Sequence, residues 1–132
     1  MSSSTRSERA APVTSRDRSV HELSNATAPL IDGYDVVMFD LDGVLYLGDD
    51  PVAHAADGAE RVRAAGSSVA FVTNNASRTP EQVAAQLSDL GITAEAADVV
   101  TSAQAAARLV AAQVPAGAAV LVVGGVGLEA AL

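Results

Sequence analysis

The sequence predicts an α/β protein, a doubly wound parallel sheet of the Rossmann-like kind. Three observations carry that reading. Apolar runs of strand length alternate with helix-periodic segments from residue 34 onward, glycine or proline punctuates the junctions, and the first strand candidate is apolar enough to be covered on both faces. A β-α-β-α-β-α order of this kind implies right-handed crossovers.

Each element has its own local signal. Asp35 to Phe39 is the first strand. Val52, Ala55, Ala56, Ala59 and Val62 then recur at helical spacing, and Gly66 stops that helix as a C-cap glycine does. Ser68 to Thr73 is the second strand, leaving through Asn74-Asn75. Thr79-Pro80-Glu81-Gln82 opens the second helix with an N-cap threonine, proline in the first turn and glutamine three residues after the cap. Val83, Leu87 and Leu90 give this helix its buried stripe, and Gly91 ends it. Val99-Val100 is a short third strand, and Thr101 to Gln104 repeats the capping pattern ahead of a helix through Ala112. Pro115-Ala116-Gly117 is a break; Val120 to Val123 is a fourth strand before Gly124-Gly125.

Composition narrows the class. Of 132 residues, 49% are apolar, too many for a disordered chain. No run reaches the roughly 18 apolar residues of a membrane helix, so a soluble, cytoplasmic protein with no membrane partner is expected. Cysteine is absent, which removes disulfides and thiolate zinc sites. All 8 basic residues are arginine. Residues 1–30 carry a charge of +1 and residues 31–132 carry −9, so nucleic acid is not an expected partner. The first 30 residues, rich in Ser, Thr, Arg and Ala without an apolar segment, are expected to be a disordered leader.

The chemistry concentrates where the first strand ends, in VVMFDLDGVLY at 36–46. Ligands of open α/β sheets bind beyond the carboxyl ends of strands, and Asp40 and Thr73 stand at two such ends. Side chains alternate along a strand, so an extended chain through Leu41 points Asp40 and Asp42 to one side. Two anions sharing a side repel unless a cation or a proton joins them. Mg²⁺ fits, because it accepts one or two carboxylates while keeping waters and phosphate oxygens. One carboxylate can then attack phosphorus and the other can exchange protons with the leaving group and water. Gly43 permits a tight turn and close approach to a ligand.

DLDGVLY at 40–46, followed by FVTNNASRTP at 71–80, resembles the haloacid dehalogenase superfamily of phosphatases. The combination is similar to its class IIA branch, which holds NagD-type, nitrophenylphosphatase-like and phosphoglycolate phosphatases. Thr101-Ser102-Ala103 and Gly124 to Leu128 also resemble segments of that branch. The resemblance implies a Mg²⁺-dependent phosphatase of a small phosphorylated metabolite. It makes Asp40 the nucleophile and Asp42 the acid/base, with Mg²⁺ on the Asp40 carboxylate and the Asp42 carbonyl. Gly43, Thr73, Asn74 and Asn75 become the phosphate and substrate contacts.

The family also uses a downstream lysine and an acidic cluster beyond a cap domain, and no lysine occurs here. The resemblance therefore implies an incomplete core over residues 31–114, the start of a cap over 115–132, and low activity. It also implies a first strand left at an open sheet edge, prone to self-association. Duller readings exist for several residues: His54 as a surface histidine, Asp49 and Asp50 as helix-capping charge, Arg78 as a solvated loop residue. Gly125 to Ala130 also matches a GxGxxA dinucleotide pattern. The rival functions are a receiver-like module phosphorylated on aspartate, and a non-catalytic remnant that binds a partner.

Overall fold

The computed structural model describes residues 28–132. The leader predicted over residues 1–30 thus lies, up to residue 27, outside the described residues; Leu30–Gly33 forms a single 3-10 turn. The elements that follow are β1 (Val36–Asp40), β2 (Tyr46–Leu47), β3 (Asp50–Pro51), α1 (Ala55–Ala64), β4 (Ser68–Thr73), α2 (Pro80–Asp89), β5 (Val99–Thr101), α3 (Ser102–Ala111) and α4 (Val126–Ala131).

The main sheet is parallel, in the order β1-β4-β5. Its register sets Phe39 beside Phe71, Asp40 beside Val72, and Thr73 beside Thr101. Because aligned residues of parallel strands share a face, Val69, Phe71, Thr73, Val99 and Thr101 lie together, and all are buried. Right-handed crossovers moving in one direction place α1 and α2 on this same face. Ala59 of α1 and Val83, Ala84 and Leu87 of α2 meet the sheet there, with Leu41, Leu45 and Ile92 closing the core. Phe71 is fully buried at the centre, its ring 6.3 Å from that of Phe39. The opposite face exposes Val36, Met38 and Val100, with Met38 at 73%. β1 has one hydrogen-bonded neighbour, so its outer edge is open among the described residues.

Capping fixes the helices where the sequence places them. Thr79 Oγ1 accepts the Gln82 amide while Gln82 Oε1 accepts the Thr79 amide, and Thr101 and Gln104 repeat the exchange. Gly66 and Gly91 terminate their helices with φ of 88° and 79°, conformations costly for other residues.

Three local readings differ. The first helix begins at Ala55 rather than Val52, because the Val52 amide donates to the Leu45 carbonyl at 2.9 Å and holds that residue to the preceding hairpin. That hairpin, β2 against β3 around Gly48-Asp49, is not among the elements expected from the sequence. The fourth strand expected over Val120 to Val123 does not form: apolarity supplies a face, but a strand also needs a hydrogen-bonding partner, and Leu121 stays 89% exposed. α4 follows and packs on α3 instead.

Candidate active site

The turn after β1 is wound around one carbonyl. Leu41 O accepts the amides of Val44, Leu45 and Tyr46, and Gly43 donates its own amide to Tyr46 O at 2.7 Å. Gly43 sits at φ 82°, which explains the glycine sterically. Leu41 and Leu45 are drawn into the core, leaving Asp40 and Asp42 exposed on either side of a buried residue. The alternation expected along the strand thus continues through Leu41. One oxygen of Asp40, Oδ1, accepts the Leu41 amide at 2.9 Å. Oδ2 has no hydrogen-bond donor among the described residues.

On the neighbouring strand Thr73 is buried, and its Oγ1 accepts the Asn75 amide at 3.1 Å. Asn75 Oδ1 in turn accepts the Ser77 amide at 2.7 Å, and the Asn74 carbonyl accepts the Ser102 hydroxyl at the start of α3. These bonds leave the Thr73 hydroxyl proton and the Asn75 side-chain amide free to donate to a ligand.

Asp42, Thr73, Asn74 and Asn75 line one open pocket of about 250 Å³. Tyr46, Gly48, Asp49, Arg78 and Gln86 complete it. Asp40 stands beside this pocket without lining it, one register step from Thr73 through its pairing with Val72. Gly43 lies outside it too, its amide already engaged by Tyr46.

Five lining residues are not among the candidates from sequence, or have a duller role there. The β2–β3 hairpin folds Tyr46 and Asp49 back over the strand ends, so Asp49 faces the pocket instead of capping α1. The signal for this is legible: Gly-Asp between two strand residues is a favoured two-residue hairpin loop, and Gly48 takes the required positive φ of 61°. Arg78 and Gln86 meet through a hydrogen bond from the guanidinium to the amide oxygen. His54 is exposed, 3.6 Å from Asp57, away from the pocket.

Partial burial pushes the Tyr46 phenol above its ordinary pKa; the Arg78 charge opposes that rise, and the Asp42 and Asp40 charges add to it. The phenol therefore remains protonated in neutral solution. The pocket is negatively biased, and Arg78 is the one cation lining it among the described residues.

The glycine-rich segment packs against this loop. Gly127 is buried, and a Cβ there would stand 2.5 Å from Arg78 O and 2.6 Å from Ala76 O. Its amide donates to Ser77 O at 3.1 Å. The GxGxxA pattern therefore serves close packing of α4 on the loop, and the backbone of residues 76–78 fills the place a dinucleotide phosphate would need.

The family model of the haloacid dehalogenase-like hydrolases matches residues 37–132. The chain belongs to that family. Among its curated relatives is the D-glycerol 3-phosphate phosphatase of Mycobacterium tuberculosis, 50% identical over 91 residues, which are 69% of this chain and 25% of that protein. The acid sugar phosphatase of Staphylococcus aureus is 40% identical over 99 residues, 75% of this chain and 38% of the relative. The glycerol phosphate phosphatase of M. tuberculosis, solved in complex with magnesium, superposes with a TM-score of 0.72 at 46% identity, covering 76% of this chain and 30% of that one. A thermostable nitrophenylphosphatase variant from Geobacillus stearothermophilus gives 0.67 at 34% identity, covering 74% and 38%. The chain spans between a quarter and two fifths of the length of these relatives. It is a hydrolase-family chain whose relatives are phosphatases of phosphoric monoesters. No helix among the described residues is long and apolar enough to cross a membrane.

Proposed function

We propose that this chain carries the nucleophile and phosphate-binding part of a cytoplasmic Mg²⁺-dependent phosphatase acting on a small polyol or sugar phosphate. The observation behind the proposal is a pocket at the carboxyl ends of adjacent strands β1 and β4 where Asp42 faces a set of neutral donors, with Asp40 beside it at the end of β1. The names of the M. tuberculosis and S. aureus relatives support the substrate class.

Asp40 is the nucleophile. Its Oδ1 is oriented by the Leu41 amide, which leaves Oδ2 to attack phosphorus. The new bond joins Asp40 to phosphorus as the bond from phosphorus to the leaving oxygen breaks, giving an aspartyl-phosphate. Asp42 delivers a proton to the departing alkoxide and then takes one from the water that hydrolyses the aspartyl-phosphate. Thr73 and the Asn75 amide donate to phosphoryl oxygens, while Asn74 holds the loop on α3.

The donor set suits Mg²⁺. Asp40 and Asp42 are two accessible carboxylates, and no group of three or more acidic or histidine ligands occurs among the described residues. An ion that retains waters and accepts substrate oxygens matches so sparse a set. Bound there, it supplies the charge neutralisation that lets a carboxylate approach a phosphate dianion. With Arg78 the single cation lining the pocket among the described residues, we expect the 132-residue chain by itself to turn over slowly.

Hydrolysis of nitrophenyl phosphate and glycerol 3-phosphate, with and without Mg²⁺, tests the reading. Mg²⁺-dependent turnover abolished by Asp40→Asn and strongly reduced by Asp42→Asn is expected; an undiminished rate in Asp40→Asn refutes it. We also propose that the chain self-associates through β1, whose outer edge is unpaired among the described residues and whose Val36 and Met38 are exposed.

A further inference from the structure

We infer that Arg78 is the substrate-positioning cation of this pocket, binding the phosphoryl oxygens of a phosphomonoester together with Thr73 and Asn75. The inference rests on the phosphatase reading and adds to it a residue that neither carboxylate motif supplies.

Placement is the first support. Arg78 lines the pocket with Asp42, Thr73 and Asn75, and also borders an adjoining groove of about 470 Å³ that runs along α2 past Gln82 to Asp89. It therefore sits where the pocket and this groove adjoin.

Preorganisation is the second. The guanidinium is held by the Gln86 side chain, two turns into α2. Its backbone is fixed from both directions: Thr73, Asn75 and Ser77 are linked amide to side chain along the loop, and Gly127 docks onto the carbonyls of Ala76 and Arg78. An exposed loop arginine with no function gains nothing from so many restraints, whereas a cation that must meet a dianion in one orientation loses less entropy on binding.

Charge is the third. The chain contains no lysine, and the other described arginines are placed elsewhere. Arg63 lies over the Phe71 ring and binds Glu60 and the Thr93 carbonyl. Arg108 lines a separate cavity beside α4, and Arg61 lies on the exposed surface of α1. Among the described residues, Arg78 is the cation set against Asp42 and Asp49 in the pocket and Asp40 beside it, so it is the group here that can offset their charge toward a phosphate dianion. A planar guanidinium also matches two phosphate oxygens at once, which an ammonium does not.

A nitrogen-15 chemical-shift titration of the 132-residue chain, first with Mg²⁺ and then with inorganic phosphate, tests this without requiring turnover. Mg²⁺ should move the amides of residues 40–43. Phosphate should then move those of residues 73–75 and the Arg78 Nε. Arg78→Gln should leave the Mg²⁺ midpoint unchanged and weaken phosphate binding by about tenfold or more, the scale of a lost charge-assisted hydrogen bond. Arg78→Lys should recover part of the loss, and added salt should weaken the wild type more than Arg78→Gln. Unchanged phosphate binding in Arg78→Gln overturns the inference and leaves the phosphatase reading standing, as does a wild type that binds Mg²⁺ but not phosphate. Absence of any Mg²⁺ response at residues 40–43 overturns the underlying reading instead.

Discussion

Replacing Gly127 by alanine should destabilise the protein, whereas the same change at Gly58 should stabilise it. Both glycines are helical, in α4 and α1, and neither has the positive φ that would penalise a Cβ on backbone grounds. Around Gly58 no atom beyond its chain neighbours and the helix's own backbone lies within 4 Å of the place an added methyl would occupy, so Gly58→Ala gains helix propensity alone, about 0.4–1 kcal/mol. At Gly127 the methyl carbon would fall 2.5 Å from one carbonyl oxygen, 2.6 Å from another and 2.8 Å from a carbonyl carbon, all backbone. No rotamer change relieves such a contact, so α4 or the loop must shift to make room. Overpacking of this kind costs about 1–3 kcal/mol, which exceeds any propensity gain. Urea unfolding followed by circular dichroism should separate the two variants by about 1.5–4 kcal/mol. Equal midpoints, or a Gly127→Ala variant more stable than Gly58→Ala, would refute the docking of α4 on residues 76–78.

Other consequences concern the pocket and the open face. The Tyr46 phenol should titrate above the ordinary value of 10.0, read from ultraviolet absorbance in a Tyr34→Phe background. With the folded pKa raised, the native state keeps that proton where the unfolded chain has released it, so this contribution is constant below about 10 and stability falls as pH climbs above it; Tyr46→Phe should remove this part of the alkaline loss. Thr101→Ala deletes a buried cap that accepts the Gln104 amide at 3.2 Å, and should cost about 1–2 kcal/mol in urea unfolding, more than the more exposed Thr79→Ala. Met38→Glu, at the 73% exposed position on β1, should shift sedimentation toward monomer while altering stability by less than about 0.5 kcal/mol; unchanged association places the contact elsewhere.

Local chemistry makes much of this structure readable. Thr79 with Gln82 and Thr101 with Gln104 announce their helices because a cap is a bond between residues three apart, fully written in sequence. Gly66 and Gly91 announce the stops for a similar reason. Val120 to Val123 misleads because its apolar pattern says nothing of a partner strand, a property of the whole sheet. The carboxylates and Thr73-Asn74-Asn75 are legible from strand ends and from family resemblance. Asp49 escapes because the Gly48-Asp49 hairpin is short, and without the hairpin the residue falls next to a helix start. Gln86 is invisible for a different reason: on a helix, its importance comes only from what approaches it, here Arg78.

Incubation of the chain with Mg²⁺ and acetyl phosphate, an acid quench and peptide mapping by mass spectrometry asks directly which atom accepts a phosphoryl group. A Mg²⁺-dependent adduct on Asp40, missing from Asp40→Asn, is the expected result. A label on Asp42 or on a hydroxyl residue, labelling that persists in Asp40→Asn, or none at all with Mg²⁺ present would contradict the assignment of the strand-end aspartate as nucleophile.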